Sequence, residues 1–183
     1  MSNPTIFLDI DGVLNSLEYA ILRMEKLQES RIYGIDPYAI ERFQHIFTII
    51  PEAEIVISST WRKHYTIEEL RDEFVNVGFK YPEKIVGYTP NLFHDRTKYR
   101  GHEIQQYCEE HNIENYVIID DSTDMLPKQK KHFVNTHNAS GLTFDDVIEV
   151  IHKLSKGKKY NIEKNYCRPR HQIKLYPQTK SVR

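Results

Sequence analysis

Apolar and polar positions alternate between two periods along this chain, one suited to strands and one to helices. Thr5–Leu8, Glu54–Ile57 and Tyr116–Ile119 are short runs of β-branched and aromatic residues, abruptly bounded by polar ones. Such runs are too short for helices and read as buried strands. Ile85-Val86 and His132–Asn135 are shorter strand candidates. Between them lie stretches with apolar residues three and four apart. Asp36-Pro37 opens one helix, with Asp as cap and Pro in the first turn. Ile40, Phe43, Ile46, Phe47 and Ile50 form its stripe, and Pro51 stops it. Thr66 with Glu69 forms a capping box for a second helix carrying Ile67, Leu70, Phe74 and Val77, with Gly78 at its end. A third runs from Arg100 to about Asn112, and Thr143 caps a last one carrying Phe144, Val147, Ile148, Ile151 and Leu154, with Gly157 as its stop. Leu17–Leu27 is a further helix candidate. Thr89–Tyr99 reads as a loop.

Strands alternating with amphipathic helices predict an α/β fold, a parallel sheet between helical layers. In such sheets ligands sit beyond the carboxyl ends of the strands. All three clear strands end in chemistry. The first runs into Asp9-Ile10-Asp11-Gly12, the second into Ser58-Ser59-Thr60-Trp61-Arg62, the third into Asp120-Asp121-Ser122-Thr123-Asp124. On an extended backbone, Asp9 and Asp11 point to one side. Two acids that close repel unless a cation or a shared proton intervenes. Carboxylates without His or Cys suit Mg²⁺ rather than zinc, so Asp9, Asp11, Asp120, Asp121 and Asp124 are the candidate metal residues. Ser58, Ser59 and Arg62, joined by Arg100 or Lys98 from the next helix, suit phosphate oxygens. A carboxylate nucleophile then splits phosphoryl hydrolysis into two steps through an aspartyl-phosphate. By this logic either acid can attack, while the other moves the proton. Trp61 reads as a packing residue, and Lys128, Lys130 and Lys131 as a solvated face.

Composition narrows the setting. With 183 residues and no apolar run long enough to span a bilayer, the chain reads as one non-membrane domain. Its two cysteines, Cys108 and Cys167, fit neither a disulfide framework nor a zinc site, and point to a reducing, cytoplasmic setting. Net charge is −1, but residues 1–155 hold 16 Lys/Arg against 25 Asp/Glu while 156–183 hold 9 against 1. The expected organisation is therefore a domain over 1–157 and a basic extension over 158–183. Tyr160, Tyr166 and Tyr176 interleave with the basic residues of that extension, as suits contact with single-stranded nucleic acid.

Asp9-Ile10-Asp11-Gly12-Val13 resembles the first motif of the haloacid dehalogenase (HAD) superfamily of aspartate-nucleophile phosphotransferases. The resemblance implies a Rossmann-like sheet, Asp9 as nucleophile and Asp11 as general acid/base. It also implies Mg²⁺ on Asp9, the Asp11 backbone carbonyl and the fourth-motif acid, for which Asp120 is preferred. Ser58 matches the phosphoryl-binding second motif. The third motif, usually a lysine, falls on Arg100 or Lys98. The strings Ser-Ser-Thr-Trp-Arg, Arg-Gly-His-Glu-Ile and Ile-Asp-Asp-Ser-Thr-Asp-Met are similar to the HAD domain of the Swiss Army Knife RNA repair proteins. That group is akin to the phosphatase domain of polynucleotide kinase-phosphatases. The slot at about 15–35, where HAD enzymes carry a substrate-selecting cap, is short, which implies an open site. The expected activity is Mg²⁺-dependent phosphomonoester hydrolysis on nucleic-acid ends or nucleotides. The alternatives are a 5′-nucleotidase for free mononucleotides and a non-catalytic phosphate- or nucleic-acid-binding module.

Overall fold

The computed structural model describes residues 2–27, 34–92, 95 and 97–155. The basic extension expected over 158–183 lies outside them, as does Gly157. Five strands, β1 (Thr5–Leu8), β2 (Glu54–Ile57), β3 (Ile85–Tyr88), β4 (Tyr116–Asp120) and β5 (Phe133–Asn135), form one parallel sheet in the order β3-β2-β1-β4-β5. β1 is central and lies in register with both neighbours, Leu8 opposite Ile57 on one side and Ile119 on the other. Strand order reverses direction beside β1. A crevice opens at the carboxyl ends there, because the connections leave to opposite sides.

The three inner strands, β2, β1 and β4, are apolar on both faces because both faces are covered. Ile6, Leu8, Ile55, Ile57, Val117 and Ile119 point into the larger core, formed with α2 (Pro37–Phe43), α3 (His45–Ile49), α4 (Ile67–Asn76) and α6 (Phe144–Leu154). Phe7, Val56 and Ile118 point the other way, into a smaller core with Ile104 of α5 (Arg100–His111) and Met125. There Phe7 meets Tyr107 and Tyr116 edge-on, each at 5.7 Å between ring centres.

The helix expected over residues 37–50 is broken at Gln44 into α2 and α3. Phe47 N–H bonds the Gln44 carbonyl, a tighter three-residue turn. The predicted stripe survives the break, since Ile40, Phe43, Ile46, Phe47 and Ile50 are all buried. The capping box expected at Thr66 with Glu69 forms, and Thr143, expected as a cap, forms a second box with Asp146. Gly78, just past α4, has φ +94°, the left-handed stop that glycine tolerates. α1 (Leu17–Leu22) is capped by Ser16 and passes into a π turn over Arg23–Leu27. None of α1 is buried.

Candidate active site

β1 delivers Asp9 to the crevice. Its backbone N–H still bonds the Ile119 carbonyl of β4, at 3.0 Å. The chain then leaves the strand at once. The Ile10 carbonyl accepts from the N–H groups of Val13, Leu14 and Asn15, and Gly12 takes φ +72°. This turn separates the two acids in a way that extended alternation does not predict. Asp9 faces Arg100 and Asp120, whereas the Asp11 carboxylate is held by Trp61 and Asn15. Gly12 also lies against Asp121, and any Cβ there would run into the Asp121 carboxylate.

β4 delivers the second set. Asp120 is fully buried, and its Oδ1 accepts from Ser122 N–H at 2.9 Å. Asn135, at the end of β5, donates to the carbonyls of both Asp120 and Asp121 at 3.0 Å. Asp9, Asp120 and Asp121 each offer a carboxylate oxygen, all within 4.8 Å of one another. Burial pushes Asp9 up to about 6, against the opposing Arg100 charge. Burial and then the Asp9 charge push Asp120 up to about 8. Three acids this close, two of them buried, call for a cation.

Arg100, the first residue of α5, provides one cation. Its Nη1 lies 3.1 Å from Asp9 Oδ1 and 3.2 Å from Asp120 Oδ2. These contacts are electrostatic rather than directional, since none of the three buried atoms makes a well-formed hydrogen bond. The carboxylate oxygens thus retain unused acceptor capacity aimed into the cluster. An oxygen-seeking divalent ion fits that donor set. α5 approaches this closely because residue 101 is glycine; a Cβ would sit 2.6 Å from the Leu126 backbone nitrogen.

β2 contributes hydroxyls. Ser58 and Ser59 are both buried, and they diverge. The Ser59 hydroxyl bonds the Asp9 carboxylate, while Ser58 Oγ meets Thr89 Oγ1 at 3.5 Å. Ser59 also caps the 3₁₀ turn Thr60–Lys63.

Several candidates are placed elsewhere. Arg62 is engaged by Glu103, its Nη2 lying 2.7 and 2.8 Å from the two carboxylate oxygens, and its Nη1 donates to the Ser59 carbonyl and Thr89. Against the expectation of a phosphate ligand, it ties the 3₁₀ turn to α5, because a buried guanidinium needs a buried partner. Asp124 stands apart from the acid cluster. It accepts from the Arg100 N–H and from Ser122 Oγ, a helix-cap arrangement. Lys98 is exposed, two residues before Arg100 and outside α5. Trp61, read from the sequence as packing, donates its indole N–H to Asp11 at 3.1 Å. Its sequence signal was proximity to the second strand end alone. Glu103 lies within the Arg-Gly-His-Glu-Ile string but had no role of its own there, and Asn15 and Asn135 gave no signal.

A parallel Rossmann-like sheet with carboxylates gathered at the ends of two adjacent inner strands, β1 and β4, defines a HAD-type domain. Residues 5–147 match the HAD domain in Swiss Army Knife RNA repair proteins, and the chain belongs to that family. HAD domains are in general hydrolases, phosphatases prominent among them. No curated protein and no solved structure gives a significant match. Among the described residues no helix is long and apolar enough to cross a membrane.

Proposed function

We propose that this domain is a cytoplasmic Mg²⁺-dependent phosphomonoesterase that works through an aspartyl-phosphate and acts on phosphorylated nucleic-acid ends or nucleotides. The observation that carries the reading is the buried Asp9 carboxylate, grouped with Asp120 and Asp121 and touched by Arg100 and Ser59. Asp9, Asp120 and Asp121, with the Asp11 backbone carbonyl, would hold the metal. When bound, Mg²⁺ supplies charge neutralisation at the phosphoryl oxygens. Ser58, Ser59 and Arg100 orient the phosphoryl group, with Arg100 rather than Lys98 as the third-motif cation. An Asp9 oxygen attacks phosphorus as the ester P–O bond breaks, and Asp11 gives its proton to the departing oxygen. Asp11 then takes a proton from water as that water attacks the aspartyl-phosphate, which releases phosphate and restores Asp9.

The short segment between β1 and α2, with no buried residue in α1, supports an open site that admits a chain end. The family's RNA-repair setting supports the substrate class. The tail from Lys156 is proposed as a contact for single-stranded nucleic acid. Phosphate release from 3′-phosphorylated and 5′-phosphorylated oligonucleotides and from mononucleotides, with Mg²⁺ and with EDTA, tests the reading. Oligonucleotide hydrolysis that EDTA and Asp9→Asn each abolish is the expected result. Full activity in Asp9→Asn overturns the mechanism, and turnover confined to mononucleotides favours a 5′-nucleotidase.

A further inference from the structure

The second strand end holds a tryptophan whose only polar atom is directed at the first strand end. Trp61 Nε1 lies 3.1 Å from Asp11 Oδ1 and 3.1 Å from Oδ2, a forked contact from one donor to both oxygens. Asn15 Nδ2 reaches Oδ1 at 2.9 Å from the other side, and Asn15 Oδ1 in turn accepts from Gly12 N–H. Asp11 is therefore gripped by one residue of its own turn and one residue 50 positions away.

The grip is itself held. The indole stacks on Tyr65, with ring centres 5.2 Å apart and planes 18° from parallel. Tyr65 is fixed from behind, since its carbonyl accepts the Tyr88 hydroxyl at 2.8 Å. The turn carrying Trp61 is pinned to α5 through Arg62 and Glu103. α5 is also the helix whose first residue, Arg100, touches Asp9. The position of Asp11 relative to Asp9 is thus set through a chain of half-buried contacts and not by its own turn alone.

We infer that Trp61 is a positioning residue for proton transfer by Asp11. Rotation about its χ angles otherwise lets a half-exposed carboxylate sample several orientations, only some of which reach the departing oxygen. Trp61 and Asn15 both bond Oδ1, whereas among the described residues Oδ2 takes the indole alone. Oδ2 is the oxygen with acceptor capacity to spare, and it carries the transferred proton. The inference rests on the acid/base role of Asp11 proposed above, and its test separates the two.

Proton donation matters most when the leaving group is a poor one. The alkoxide of a phosphorylated oligonucleotide needs the proton; the nitrophenolate of p-nitrophenyl phosphate departs without it. The value of kcat/KM covers events up to the first phosphoryl transfer, so its ratio between the two substrates reads acid catalysis specifically. Trp61 is the chain's single tryptophan. Replacing tryptophan throughout with β-benzothienylalanine therefore changes this residue alone, keeping the ring shape and deleting the N–H. Both that protein and Trp61→Phe are expected to lower the oligonucleotide-to-nitrophenyl ratio by about tenfold or more. Equal losses on both substrates, or none, overturn the inference and leave Trp61 a packing residue. Asp11→Asn is the control. If it lowers the ratio while the tryptophan replacements do not, only the role of Trp61 falls. If Asp11→Asn lowers both substrates equally, the acid role of Asp11 falls with it.

Discussion

At the residue scale, the site depends on how closely carboxylates approach one another and on which cations answer them. Gly12 sets one approach. Its φ of +72° and the Asp121 carboxylate beside it leave no room for a Cβ. Gly12→Ala is expected to displace Asp121 and raise the Mg²⁺ concentration needed for half-maximal activity by about tenfold or more, the usual scale for disturbing the surroundings of metal ligands. A Mg²⁺ titration of activity measures this. Arg100 provides the protein's own cation for Asp9 and Asp120. Removing a donor that faces a phosphoryl transition state costs about a hundredfold or more. Arg100→Ala should accordingly lose far more kcat/KM than Lys98→Ala, and the reverse ranking would return the third motif to Lys98.

At the element scale, short turns aim the chemistry and buried pairs aim the turns. The 3₁₀ turn Thr60–Lys63 carries Trp61 to Asp11 and Arg62 to Glu103. The Arg62 and Glu103 side chains are 5% and 7% exposed, so breaking the pair strands a buried charge. Glu103→Gln is expected to destabilise the domain by about 3–5 kcal/mol in urea unfolding. It should also weaken the loop before α5, since Glu103 accepts the Leu92 N–H as well. The capping box that starts α6 is a smaller, local contribution. Thr143→Ala is expected to cost about 1 kcal/mol by the same measurement.

At the scale of the whole molecule, the acids at the crevice oppose the fold that gathers them. Asp9 and Asp120 rise from 3.8 to about 6 and about 8 on burial. Without metal, the folded protein keeps protons that the unfolded chain releases above about pH 4. Stability therefore falls as pH climbs from about 4 through 8, where the folded protein finally ionises. In EDTA the Tm should drop across that range. Added Mg²⁺ binds the ionised acids, and its stabilising shift should be larger at pH 8 than at pH 5. A Tm in EDTA that rises over the same interval contradicts the burial of these groups. The sheet topology makes this concentration of charge possible. β1 and β4 are neighbours in the sheet although their acids lie far apart in sequence, and the crevice opens between their ends.

The chain's own pattern was enough for everything governed by neighbouring residues. Short β-branched runs specify buried strands, Thr66 and Thr143 specify helix starts, and acids directly after two strands specify where chemistry gathers. These rest on local sterics, on caps within three residues, and on the rule that parallel strands present their ends together. Tertiary structure decided whatever depends on partners distant in sequence. It committed Arg62 to Glu103 41 residues on, and made Asp124 a cap for α5. It chose Arg100 to reach the acids, and it gave Trp61, which packs against the larger core as expected, a bond to Asp11 as well. A side chain's residue type states what it is able to bond. Which bond forms inside a packed core depends on what the fold brings within 3 Å, and Asp9 and Asp11, two positions apart, received different partners for that reason.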